Sequence, residues 1–170
     1  HVTLELGGKS PFIVFEDADL DSAVGGAMIA NFYSTGQVCS NGTRGFVHES
    51  VKDEFLKRLV ARTKVMKIGD PLDPGMLMGP LIDPAAKKAF LATVKRAQNE
   101  GGTVLHGGSG VDLPGYFVLP TLVAMPAQTE VVRQETFAPI LYLLRYRELE
   151  QAIALHNDVP QGLSSAIFTS

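Results

Sequence analysis

The residue whose surroundings most favour chemistry is Cys39, the only cysteine of the 170-residue chain. It lies in the segment GQVCSNG, residues 36–42, where glycines on both sides let backbone amides approach a bound group closely. Backbone N–H groups near a thiol favour the nucleophilic thiolate and can also stabilise an oxyanion. The segment therefore predicts a nucleophilic cysteine, with an unreactive buried cysteine as the alternative that composition alone favours.

Two acidic segments could assist such a thiol. Glu5 lies in LELGGK, residues 4–9, where leucine and glycine neighbours predict a desolvated carboxylate suited to general-base chemistry. A solvated glutamate at the end of a strand is the alternative. Glu135 and Phe137 lie in QETFAP, residues 134–139, which has the pattern of an acidic and aromatic turn. Taken alone, the same segment is also compatible with the end of a helix followed by a strand whose start is set by Pro139.

Glycine and proline divide the chain into alternating strand-like and helix-like stretches, which must position these groups. Helices are predicted over 17–34, 51–66, 84–100 and 148–159, and strands over 10–15, 45–48, 103–106, 116–123, 140–146 and 165–169. Such alternation implies right-handed crossovers. The fold class predicted is α/β: an open, mostly parallel twisted sheet with helices on both faces, forming one domain over residues 1–170.

Capping signals mark the starts of two predicted helices. Ser50, with Asp53 three residues later, has the pattern of a capping box. Asp83 precedes Pro84, which suits the first turn of a helix. Both helices are therefore expected to begin with a side-chain cap.

Composition excludes several classes of function. The net charge of −3, without a basic cluster, argues against nucleic-acid binding, and no apolar run is long enough to cross a membrane. The four histidines and the cysteine lack the spacing of zinc ligands, so no metal site is predicted. One cysteine and no secretion signal indicate a reducing, cytoplasmic location. Because the chain begins at His1, we expect a piece of a longer protein.

Ordered motifs along the whole chain resemble the aldehyde dehydrogenase superfamily. The 34 positions between Glu5 and Cys39 match the family's separation of general base and nucleophile. The segments that carry the resemblance are LELGGKSP, FEDADLDSAV, GQVC with NGTR, IGDPLDP, MGPLID, GYFVLPTL, ETFAP and QGLSSAIFT.

The resemblance implies a role for each candidate residue. Cys39 would attack the aldehyde carbonyl to give a thiohemiacetal, with its own backbone N–H as half of the oxyanion hole. Hydride transfer to the nicotinamide of NAD or NADP would leave a thioester, and Glu5 would activate the water that hydrolyses it. Glu135 would bind the nicotinamide ribose beside Phe137. The backbone of Leu6 and Gly7 would lie near the nicotinamide ring.

The chain also departs from the family pattern. Family members are longer, so we expect the N-terminal dinucleotide-binding domain and the C-terminal oligomerisation segment to be absent and the chain alone to be inactive or weakly active. Ala138 replaces a glycine that many members carry. The expected partners are a small aldehyde and further copies of the chain. The first half resembles the branch acting on betaine aldehyde and trimethylaminobutyraldehyde, and the last third resembles the α-aminoadipic semialdehyde (antiquitin) branch.

Two other functions remain open from the sequence. Cys39 and Glu5 alone would support a thiol esterase that needs no cofactor. A non-catalytic α/β domain used for packing or assembly, with an inert cysteine, is the third possibility.

Overall fold

Strands and helices alternate from the first strand to the last in the computed structural model, which describes all 170 residues. In chain order the elements are β1 (Ser10–Val14), α1 (Leu20–Phe32), a 3-10 turn (Tyr33–Gly36), β2 (Gly42–His48), α2 (Lys52–Lys64), α3 (Pro84–Asn99), β3 (Thr103–His106), β4 (Thr121–Ala124), α4 (Glu130–Arg133), β5 (Ile140–Tyr146), α5 (Leu149–Asn157) and β6 (Ala166–Phe168).

The six strands form one sheet in the order β3-β4-β5-β2-β1-β6. Neighbouring strands are parallel except β3 and β4, which are antiparallel. The central strands β5, β2 and β1 follow one another across the sheet although they are far apart in sequence, as helical crossovers require. The predicted α/β fold with a mostly parallel sheet is confirmed.

Helices cover both faces of this sheet. On one face, α1 and α2 pack on Phe12, Val47 and Leu143. On the other face, α3, α4 and α5 pack on Ile13, Phe46 and Tyr142. Because both faces are covered, β5 is buried at six of its seven positions, and its sequence ILYLLRY is a nearly continuous apolar run.

The two predicted helix caps have different outcomes. Asp83 caps α3 as predicted, accepting a hydrogen bond from the Ala86 amide at 2.7 Å. The capping box predicted at Ser50 is wrong: α2 begins at Lys52 without a side-chain cap. The N-cap position is Val51, one residue after Ser50, and the Ser50 hydroxyl instead lies 2.7 Å from Nδ1 of His48.

Three predicted boundaries also differ. β2 begins at Gly42 rather than residue 45, because pairing with β1 draws the end of the cysteine loop into the sheet. In the predicted strand 116–123, only the residues from Thr121 onward pair in the sheet, and Pro120 before them has no N–H to donate. The four-residue helix α4 was not predicted because it is too short to show a helical period. No helix combines the length and the apolar character needed to cross a membrane.

Candidate functional site

Three loops meet at the amino ends of the central strands. Residues 1–9 precede β1, residues 37–41 precede β2, and residues 134–139 precede β5. Since β5, β2 and β1 are adjacent and parallel, the loops that enter them lie along the same edge of the sheet. This topology brings together Cys39 and Glu135, which are 96 positions apart in the chain.

Glycines allow the backbones of these loops to touch. A Cβ atom on Gly8 would lie 1.7 Å from the carbonyl oxygen of Cys39. Gly36 adopts a φ of +74°, and a Cβ there would lie 2.4 Å from the carbonyl carbon of Ala138. Both distances are far shorter than any non-bonded contact allows, so larger residues would separate the loops. Gly8 and Gly36 therefore allow close contact between the loops, whereas the predicted approach of the cysteine-loop amides to a bound group stays a prediction.

Cys39 follows a strained turn. The helix predicted to reach residue 34 ends at Phe32, and Ser34 and Thr35 have left-handed φ values of 50° and 58°. Each such non-glycine residue costs about 1 kcal/mol. The turn is braced by residues 79–82: the Thr35 hydroxyl donates to the Gly79 carbonyl at 3.2 Å. The thiol that this turn presents is free and half-buried.

Glu135 and Phe137 lie opposite the cysteine loop. Oε1 of Glu135 accepts a hydrogen bond from the Gly8 amide at 2.9 Å, which fixes an otherwise exposed carboxylate. Phe137 adopts a left-handed φ of 58°, yet its side chain is 46% exposed. Only about half of Phe137 is buried, so packing against the chain offsets only part of this strain. Cys39, Glu135 and Phe137 all line one small cavity.

The N-terminal candidates are placed differently. Leu6 and Gly7 line a neighbouring groove together with residues 160–163. Glu5 is exposed and lines neither this groove nor the cavity at Cys39. The desolvation predicted from its leucine and glycine neighbours is therefore absent, because residues 1–7 all lie exposed at the surface of this chain.

Sequence reasoning missed two buried cations beside the site. Lys9 is 2% exposed, and its ammonium lies 4.8 Å from the centre of the Tyr142 ring. Burial lowers the pKa of Lys9 to about 7; Arg44 lowers this pKa further, and Glu135 opposes the change. The sequence signal for Lys9 was its position directly before the apolar strand SPFIV, since a charged side chain next to a buried strand is rarely left without a partner.

Arg44 is the second buried cation, at 1% exposure. Its Nε donates to the Lys9 carbonyl at 2.8 Å. Its Nη1 donates to both the Gln128 side-chain oxygen and the Leu155 carbonyl, each at 2.9 Å. Nη2 donates to the His156 carbonyl at 3.1 Å. Burial lowers the pKa of Arg44 to about 10, and Asp158 opposes this change. Arg44 thus joins the site loop to the end of α5.

Sequence comparison places the chain in a known family. Residues 1–170 match the sequence model of the Aldehyde dehydrogenase family. The chain is 48% identical to betaine aldehyde dehydrogenase of Brucella ovis over 175 aligned residues, which cover 100% of this chain and 36% of that protein.

Solved structures give the same result. The aldehyde dehydrogenase of Bacillus cereus, in a structure described as an NAD+ complex, superposes with a TM-score of 0.95 at 36% identity, over 100% of this chain and 35% of that one. Lactaldehyde dehydrogenase of Escherichia coli superposes with a TM-score of 0.93 at 38% identity, over 98% of this chain and 35% of that one. The chain spans about a third of the length of these relatives, and it belongs to the aldehyde dehydrogenase family.

Proposed function

We propose that this chain is the thiol-bearing part of an enzyme that oxidises an aldehyde to a carboxylic acid with NAD or NADP. The observation that carries the proposal is the convergence of Cys39, Glu135 and Phe137 on one cavity at the meeting point of three loops. An inert packing domain would not need a strained turn before its cysteine or a strained, exposed phenylalanine beside it. Membership of the family supports the same reaction class.

Cys39 is the proposed nucleophile. Its sulfur forms a bond to the aldehyde carbon, the carbonyl π bond breaks, and the oxygen becomes an oxyanion that the Cys39 backbone N–H stabilises. NAD or NADP, when bound, supplies the acceptor for hydride. The product on the protein is a thioester at Cys39, which water hydrolyses to the acid. The half-buried thiol is accessible enough for the attack yet partly shielded from solvent.

The cofactor fits the residues opposite the thiol. The side chain of Glu135 is exposed; one of its oxygens accepts from the Gly8 amide, and the carboxylate keeps lone pairs able to accept hydrogen bonds from ribose hydroxyls. Phe137 presents an exposed ring beside it. In this proposal Glu135 and Phe137 hold the nicotinamide ribose, and Leu6 and Gly7 lie near the ring.

Glu5 is the proposed base for hydrolysis of the thioester. Its exposed carboxylate is hydrated in this chain, and a general base works best when water is excluded around it. We expect Glu5 to act in a longer protein in which further chain covers residues 1–7. The proposal therefore assigns acyl formation to this chain and efficient turnover to the full-length protein.

The substrate and assembly belong to the same proposal. Betaine aldehyde is the first aldehyde to test, because the chain is 48% identical to betaine aldehyde dehydrogenase of Brucella ovis. Homo-oligomerisation is supported by an uncovered apolar groove between α1 and the 66–77 region. Its lining residues are Met28, Ile29, Phe32, Tyr33, Met66 and Leu77.

Protection of the thiol tests the function on the chain as it exists. Betaine aldehyde and α-aminoadipic semialdehyde are each mixed with the chain, and the rate of Cys39 alkylation by iodoacetamide is followed by mass spectrometry. A substrate aldehyde should slow alkylation at concentrations that leave N-acetylcysteine unprotected, whereas choline, which lacks the carbonyl, should not. Equal protection of Cys39 and N-acetylcysteine by both aldehydes would contradict the proposal.

Turnover provides the second readout. NADH formation by the chain with NAD and each aldehyde is compared with that of Cys39→Ala. Cys39-dependent turnover would show that this chain recruits the cofactor unaided. Ester hydrolysis at Cys39 without protection by either aldehyde would favour the cofactor-independent thiol esterase instead.

A further inference from the structure

The turn that carries Cys39 is closed by the backbone of Asn41. The Asn41 N–H donates to the Val38 carbonyl oxygen at 3.1 Å, across Cys39 and Ser40. The Val38 carbonyl and the Cys39 N–H belong to one planar, trans peptide group, so they point in opposite directions. The hydrogen bond from Asn41 therefore fixes the direction of the Cys39 N–H, which is the oxyanion donor of the proposed reaction.

The Cys39 N–H itself donates to no backbone carbonyl of the chain. A donor that is oriented in advance stabilises an oxyanion without any rearrangement at the moment of reaction. A hydrogen bond accepted by the carbonyl of a peptide group also polarises the N–H of the same group. The bond from Asn41 therefore both orients the Cys39 N–H and strengthens it as a donor.

The side chain of Asn41 is held by the end of α1. Asn41 is 6% exposed, and its Nδ2 donates to the Asn31 carbonyl oxygen at 3.3 Å, with a longer contact to the Tyr33 carbonyl oxygen at 3.5 Å. The last carbonyls of a helix have no partner inside the helix, so a side-chain donor at this place satisfies them. Only the amide nitrogen of asparagine can do so, because its side-chain oxygen is an acceptor like the carbonyls. Asn41 therefore joins α1 to the cysteine turn.

We propose that Asn41 is a positioning residue for the oxyanion. Its side chain anchors the cysteine turn to α1, and its backbone N–H, through the Val38 carbonyl, orients the Cys39 N–H toward the substrate oxygen. The inference rests on the proposed function, because it concerns the oxyanion that forms when the Cys39 sulfur attacks a carbonyl carbon. Asn41 acts through the peptide group of Cys39 and not on the substrate.

A purely structural role is the alternative for Asn41, because the loss of any buried donor destabilises a protein. The far side of the turn has its own anchor: the Ser164 hydroxyl donates to the Ser40 carbonyl oxygen at 2.9 Å. Loss of the Asn41 side chain should therefore release the Val38–Cys39 peptide group while Ser164 still holds the turn. Positioning predicts an effect only on reactions that form an oxyanion, whereas a structural role predicts equal effects on every reaction of the thiol.

Two reactions of the Cys39 thiol separate these roles on the whole 170-residue chain. Acetylation by 4-nitrophenyl acetate passes through an oxyanion, whereas alkylation by iodoacetamide displaces iodide and forms none. Both rates are measured at pH 7 by mass spectrometry for the wild type, Asn41→Ala and Asn41→Asp, whose ionised side chain keeps the shape but has no donor. We expect the ratio of acetylation rate to alkylation rate to fall about fivefold or more in both variants. Complete loss of an oxyanion donor costs about 100-fold to 1,000-fold, and these variants only release the donor.

Thr63→Ala is the matched control. Thr63 is buried on α2, and its hydroxyl donates to the Leu59 carbonyl oxygen at 2.8 Å. The substitution removes a buried side-chain donor to a helix carbonyl, as Asn41→Ala does, but outside the three loops of the site. The ratio of the two rates should therefore stay at its wild-type value. Asn41 variants with the same ratio as Thr63→Ala overturn the inference, including variants in which both rates fall in proportion.

Amide hydrogen exchange of the wild type keeps the inference testable where an Asn41 variant does not fold. The Asn41 amide should exchange at least about tenfold more slowly than an amide of an unstructured peptide, because it is bonded to the Val38 carbonyl. Exchange at the unstructured rate overturns the inference, since the turn would then not be held. Failure of the proposed function is distinguishable: a wild type that is alkylated but not acetylated at Cys39 overturns that function and the inference together. A wild type that is acetylated, with Asn41 variants of unchanged ratio, overturns the inference alone.

Discussion

Replacement of Arg44 by methionine should destabilise the chain strongly. Methionine keeps much of the length of the side chain but removes all four hydrogen bonds of the guanidinium. The carbonyl oxygens of Lys9, Leu155 and His156 lose a donor inside the protein. Hydrogen bonds to a charged group contribute about 1.5–3 kcal/mol each, and the desolvation of the buried guanidinium offsets part of this, so we expect a net loss of about 3 kcal/mol or more. This is a large fraction of the roughly 5–15 kcal/mol by which domains are stable.

Urea denaturation at pH 7, followed by circular dichroism, measures this change in the free energy of unfolding. Arg62→Met is the matched control: Arg62 pairs with Asp21 at 3.1 Å on the surface, where its side chain is 45% exposed. The loss in the control should be much smaller, because exposed ion pairs contribute little. Arg44→Lys should fall between the two, since one ammonium cannot reproduce the geometry of the guanidinium. An Arg44→Met variant no less stable than Arg62→Met would show that the buried hydrogen bonds of Arg44 contribute no more than a surface ion pair.

Three further predictions concern the loops of the site. Burial lowers the pKa of Lys9 from 10.5 to about 7, so the folded state binds fewer protons than the unfolded state above pH 7. The free energy of unfolding should therefore rise by about 1–3 kcal/mol between pH 7 and 9. Lys9→Met should abolish most of this rise in urea titrations. Gly8→Ala places a Cβ 1.7 Å from the Cys39 carbonyl oxygen, so the free energy of unfolding in the same assay should fall by about 3 kcal/mol or more. A urea midpoint equal to that of the wild type would contradict the backbone contact. Phe137→Asn should leave thermal stability nearly unchanged, because asparagine tolerates the left-handed conformation and the phenylalanine ring is 46% exposed; a large drop in the melting temperature would show that the ring packs in the core.

The sheet could be predicted because its strands have strong local signals. The run ILYLLRY and the Asp83–Pro84 start of α3 depend on burial and capping rules that act over a few residues. The sequence also indicated Cys39, Glu135 and Phe137 separately. Their convergence on one cavity depends on β5, β2 and β1 being neighbours in the sheet, and strand order is a property of the whole fold.

The buried cations could not be predicted in this way. Lys9 and Arg44 look like ordinary surface charges in the sequence, and only long-range packing shows that Arg44 reaches carbonyls 111 and 112 positions away. The opposite error occurred at Glu5, where apolar neighbours in sequence predicted burial but the structure leaves the residue exposed. Local sequence therefore selected Cys39, Glu135 and Phe137, which line one cavity, but it did not predict the burial or exposure of the residues around them.

Acyl transfer to the chain is the sharpest test of the nucleophilic role proposed for Cys39. The chain is incubated with 4-nitrophenyl acetate, quenched in acid, and digested for mass spectrometric mapping of the acyl group. We expect one acetyl group per chain as a thioester on Cys39, formed faster than on N-acetylcysteine and absent from Cys39→Ala. A chain whose Cys39 remains unmodified, or that is acetylated only on surface lysines, would contradict a nucleophilic role for this thiol.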